Sequence, residues 1–176
     1  MTVKPFPVAT FTVLIAFAMS LVAAPVLADV QVTFREGAPK DRFTITNTGS
    51  CALGRVDVTI DLSSSSAGLV FDVTGQGAGV EVFQPFELVA GNSLLSSTPS
   101  VRDGDNSLTL ALTNLEQGQS VAFTIDVDDT IGAREITVSR SEISGAGIRV
   151  ETEFAQASGT FGETAIAVAP FQACMS

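Results

Sequence analysis

From Asp29 onward, apolar and polar residues alternate with a period of two, the pattern of strands with one buried and one wet face. In Arg55–Leu62, Val56, Val58, Ile60 and Leu62 take one side, and Arg55, Asp57, Thr59 and Asp61 the other. Leu108, Leu110 and Leu112 alternate with Thr109, Ala111 and Thr113; Val121, Phe123, Ile125 and Val127 alternate with Ala122, Thr124 and Asp126. Weaker runs predict further strands over 30–34, 42–48, 69–74, 80–86, 135–143, 148–154 and 164–169, with Pro85 forcing an edge or a bulge in the fourth of these. Helical spacing is nearly absent.

Turn formers separate the runs: Asn47-Thr48-Gly49-Ser50, Ser63–Gly68, Gly75–Gly79, Gly91-Asn92-Ser93, Asp103-Gly104-Asp105-Asn106, Glu116-Gln117-Gly118 and Gly145-Ala146-Gly147. About ten short strands at this spacing imply an all-β fold. The expected architecture is a single antiparallel β-sandwich of the Ig-like, Greek-key type over residues 29–176, with no repeat and no linker dividing it.

The first 28 residues read differently. Lys4 precedes an apolar run centred on Phe11–Val22, and Ala23-Ala24-Pro25-Val26-Leu27-Ala28 presents small residues before a cut after Ala28. That order predicts a cleaved signal peptide over residues 1–28 and a secreted, extracellular or periplasmic domain. The apolar core is short for a bilayer, and no later segment in the sequence suits one, so no membrane span is expected in the mature chain. What remains, about 150 residues, is the size of one domain with its own core.

Composition removes whole classes of chemistry. The chain has no His, Trp or Tyr. Ser-His-Asp and Cys-His relays and imidazole metal ligands are therefore excluded. Only Phe remains for stacking sugars or bases. The formal charge of −10 repels phosphate backbones, so nucleic acid is not an expected partner. Paired carboxylates such as Glu151 and Glu153, or Asp57 and Asp61, have the residue type for glycoside hydrolysis, but nothing in the sequence marks one as buried or supplies a sugar platform. An enzyme is not expected.

Cys51 and Cys174 are the two cysteines. In an exported chain an isolated pair reads most simply as one disulfide, with free thiols and pairing between chains as the alternatives. Closing so long a loop contributes on the order of 4–5 kcal/mol.

The sharpest chemical candidate is acidic. Asp126 and Asp128 fall on one face of a strand, and Asp129 begins the loop after it. Calcium takes about six to eight oxygens, and clustered acids at a strand end can supply them. Asp126, Asp128 and Asp129 are therefore a candidate calcium set, against the plainer reading that wet-face acids keep strands from pairing between molecules. No calcium motif supports the idea. After Asp103, Leu108 stands where a helix-loop-helix calcium loop needs glycine, and Asn114 where it needs glutamate. Gly75–Gly79 lacks the aspartate and repetition of a calcium-binding nonapeptide.

Arg42–Cys51, followed by Val56–Leu62, resembles small exported bacterial proteins of the aggregation-factor-core type, as do Ser120–Thr130 and Ile143–Gly147. That family takes its name from the core subunit of the sponge aggregation factor, an extracellular proteoglycan of calcium-dependent cell adhesion. The resemblance covers most of the domain and implies a surface or extracellular β-domain used in adhesion or assembly. It carries over no catalytic residue. The expected function is thus a structural or adhesive module that meets an extracellular protein or cell-surface component through an edge strand or loops, with calcium as an assisting ion. The alternative is a module binding carbohydrate or another small ligand at one end of the sandwich.

Overall fold

The computed structural model describes residues 1–2, 28–75, 83–131 and 137–171. The expected signal peptide therefore lies almost wholly outside the described residues, as does Cys174. Ten strands and no helix are found among the described residues. They are β1 (Ala28–Arg35), β2 (Asp41–Asn47), β3 (Val56–Asp61), β4 (Val70–Asp72), β5 (Glu87–Ala90), β6 (Ser107–Leu112), β7 (Ser120–Asp128), β8 (Gly147–Thr152), β9 (Gln156–Thr160) and β10 (Ile166–Phe171). The all-β sandwich expected from the alternation is the fold observed.

One sheet runs β10-β1-β2-β7-β4, with β5 also pairing β7; the other runs β6-β3-β8-β9. Every pairing is antiparallel. The chain crosses between sheets repeatedly, so neighbours in a sheet are often distant in sequence: β2 beside β7, β10 beside β1, β3 between β6 and β8. Antiparallel partners directly opposite share a face, so each apolar phase lands in one core. Val56, Val58 and Ile60 meet Leu112, Leu110 and Leu108 across one pair and Val150 and Ile148 across the other, all buried. From the facing sheet come Val30, Val32, Phe43, Ile45, Val121, Phe123 and Ile125. Phe123 stacks on Phe43 at 5.2 Å between ring centres and meets Phe86 at 5.0 Å, contacts that add to simple burial.

The turn after β2 is pinned by its own asparagine. Asn47 is wholly buried; its Nδ2 donates to the carbonyls of Cys51 (2.7 Å) and Leu115 (2.9 Å), and its Oδ1 accepts from the Gly49 amide at 3.0 Å. At the opposite margin the two sheets meet where β9 lies against β10. A Cβ on Gly159 would stand 2.1 Å from the Val168 carbonyl oxygen, so only glycine allows that approach.

Three expectations need correcting. The run over 135–143 is not a strand where it is described: from Ser139 the backbone turns repeatedly, with Glu142 bonding back to Ser139, Ser144 to Ser141 and Ala146 to Ile143. Val138 and Ile143 are still buried, so their apolar spacing served the core from a coil. The strand expected over 80–86 is replaced, where described, by β5, which starts two residues after Pro85 and slips register between Leu88 and Ala90; proline's missing N–H delays the ladder. Finally, β9 was not anticipated, because Gln156-Ala157-Ser158-Gly159-Thr160 has one buried small apolar residue and no β-branched apolar one.

Candidate functional site

The acidic residues gather where β4 joins β7. Register sets Asp72 directly opposite Asp126 and Val70 opposite Asp128. Asp72, Asp126 and Asp128 therefore share one face, while Phe71 and Val127 turn into the core. One carboxylate oxygen from each of the three lies within 4.8 Å of the other two. All three residues are buried, with Asp72 only 2% exposed and Asp126 only 4%. The Gln84 backbone holds the two strands together beside them: its amide donates to the Asp72 carbonyl at 3.3 Å, and its carbonyl accepts from the Asp126 amide at 3.2 Å.

The wet face expected for this end of β7 is thus dry. Among the described residues, no donor reaches either carboxylate oxygen of Asp72 or Oδ2 of Asp126. The polar group that Asp72 does meet is the carboxyl of Asp128, with which an ionised carboxylate has no proton to share. The buried Oγ1 of Thr124, two residues before Asp126 on the same face, also lacks a partner. Burial is the main force pushing Asp126 up to about 7, with the charges of Asp128 and Asp72 adding to it. Burial likewise lifts Asp72 to about 6, followed by its contact with Asp128.

A further acid stands close by. Asp41 opens β2 opposite Ile125 on the core side and is 1% exposed. Its Oδ1 accepts from the Gly37 amide at 3.1 Å. Burial raises it to about 8 against that bond, helped by the nearby charges of Asp126 and Asp128.

Of the expected calcium set, the structure brings Asp126 and Asp128 together and leaves Asp129 out. Asp129 is buried one residue beyond β7 and does not belong to the three-carboxylate group. Asp72 takes the third place. Its phase along β4 matched a solvent-facing acid, so only the pairing partner reveals its role. Asp41 did carry a signal: it occupies the same alternation phase as buried Phe43 and Ile45. The Asp103–Asp105 turn is a local clasp. Oδ1 of Asp103 accepts from the amides of Val73 (2.7 Å) and Thr74 (2.6 Å), and Oδ2 of Asp105 accepts from Arg102 at 2.8 Å.

Three oxygen donors without nitrogen or sulfur make a hard site, suited to Ca²⁺ or Mg²⁺ rather than zinc or copper. Elsewhere, a hollow of about 150 Å³ lies among Leu53, Arg55, Thr152, Glu153, Phe154 and Phe171, with Phe154 68% exposed at its rim. Among the described residues no helix is long and apolar enough to cross a membrane. No family model matches the chain, and no curated protein does.

Proposed function

We propose that this chain is an exported β-sandwich interaction module, structural or adhesive in kind, which recruits an extracellular protein or cell-surface partner by strand addition. The observation that carries this reading is β5. It pairs β7 along one side, and among the described residues no strand occupies its other side. Val89, on this strand, is 40% exposed. The other margins are better covered. The outer side of β4 bonds to Gly104 and Asp105, and that of β6 to Leu94 and Ser96; Pro170 interrupts donors on β10. An open edge carrying an exposed apolar side chain is the geometry of β-augmentation, where main-chain bonds supply affinity and alternate side chains supply selectivity.

Export rests on the charged, apolar and small-residue order of residues 1–28. Cys51 is half-buried and packed against the core, and its pairing with Cys174, the second cysteine of the sequence, suits an oxidising compartment. The edge reading is tested with beads coated in the purified protein, scored for clustering and for capture by the surface of the producing cells. Val89→Lys, a surface change that leaves folding intact, abolishes both. Equal clustering and capture by the variant refute it.

A second reading has one observation in its favour. Phe154 beside Arg55 and Glu153 forms an aromatic rim with polar groups, the elements of a small carbohydrate site. Saturable binding in a glycan array, lost in Phe154→Ala, selects that reading over the first.

A further inference from the structure

We infer that Asp72, Asp126 and Asp128 form a divalent-cation site, and that calcium is the ion it takes. The inference goes beyond the edge-strand reading, because the site fills whether or not β5 recruits a partner.

Three facts lead there. First, the geometry is compatible: the three oxygens lie within 4.8 Å of one another, close enough for one ion to gather them with small side-chain shifts, since calcium ligands stand about 2.3–2.6 Å from the ion. Second, the donors are orphaned. Asp72 is 98% removed from solvent with both oxygens unpartnered, and Asp126 Oδ2 is in the same condition. A buried polar atom normally has a partner, and a buried charge without one is costly. Wet-face acids that merely protect an edge stay in water; these do not. Third, the arrangement is imposed by register rather than by flexible loops. β4 and β7 deliver Asp72 and Asp126 as a directly opposed pair of like charges, a placement that weakens a sheet unless something of opposite sign lies between them. A doubly charged ion answers all three carboxylates at once.

Calcium is favoured over magnesium because magnesium demands near-octahedral geometry and keeps several waters, whereas calcium accepts an all-protein, carboxylate-rich set. Protons are the rival occupants. The rival is separable, because protonation needs no metal and responds to pH alone.

The test is thermal unfolding of the purified protein at neutral pH, in chelator, in calcium and in magnesium, at matched ionic strength. Calcium at about a hundred times its dissociation constant raises the midpoint by about 5–10 °C. Asp72→Asn abolishes that rise and also melts higher than the parent in chelator, because it removes one of three facing charges while keeping the shape. Asp129→Asn retains the calcium response. Absence of a calcium shift in the parent overturns the site, and so does an equal shift in Asp72→Asn; an equal shift in magnesium overturns the assignment to calcium. Equilibrium dialysis with radioactive calcium checks the same assignment independently of stability: one ion per chain is expected, and none in Asp72→Asn.

Discussion

Asp72 and Asp126 face each other directly across the β4–β7 pair, buried and without a donor on three of their four carboxylate oxygens. Strand partners this close are where like charges do most harm. The fold nevertheless places a third aspartate, Asp128, on the same face and a fourth, Asp41, nearby on the adjoining strand. The chain is therefore least comfortable at the end of β7, and its stability should report what happens there.

Without metal, stability should fall as pH rises. Burial lifts Asp41 to about 8, Asp126 to about 7 and Asp72 to about 6, from an ordinary 3.8. Each folded group keeps its proton to a higher pH than its unfolded counterpart. The folded state is therefore penalised progressively as pH climbs from the ordinary carboxylate range through these raised values. In chelator, the melting midpoint at about pH 5.5 should exceed that at about pH 8.5. Asp41→Asn should flatten the upper part of the slope. A midpoint that climbs over this interval would contradict the assignment.

Asn47 should prove irreplaceable by its closest relative. Asn47→Asp keeps the acceptor for Gly49 but removes both donations, to the carbonyls of Cys51 and Leu115, and brings in a buried charge. The expected loss is about 3 kcal/mol, read as a lower urea midpoint. Asn47→Asp unfolding with the parent would remove the pin from the account.

Two glycines make a matched pair. Gly159→Ala drives a methyl group into the Val168 backbone and should cost about 2 kcal/mol or more. Gly162→Ala meets nothing within 4 Å and should be neutral or slightly stabilising. Equal effects in denaturant melts would mean that the β9–β10 approach is looser than described.

If Cys51 and Cys174 pair, as proposed for an exported chain, the intact mass should be about 2 Da lower before reduction than after, since forming one S–S bond removes two hydrogens. An unchanged mass, or a dimer that collapses on reduction, would point to thiols or to pairing between chains.

How far the residues announced this molecule depends on how many faces each strand hides. β3, β6 and the Phe43–Ile45 part of β2 hide one face, so their alternation named the strand and the buried side together. β7 hides both, and its polar phase looked solvent-exposed because period two cannot tell water from a second covering layer. β9 carries almost no apolar signal; it is a strand because β8 pairs with it and glycine lets β10 come near. The same reasoning divides the site. Asp126 and Asp128 were visible as neighbours in one strand, whereas Asp72 joins them only through cross-strand register between segments more than fifty positions apart. No local pattern encodes that distance.

The position of Phe123 has a mechanical consequence. From Ala122 to Thr124, β7 is laddered on both flanks, to β2 and to β5, and the Phe123 ring sits against Phe43 and Phe86. A molecule built this way frays inward from its margins, and the last piece to come apart is this three-residue kernel. The charged end of the same strand lies outside the kernel, so it can loosen or tighten with its surroundings while the centre keeps its shape.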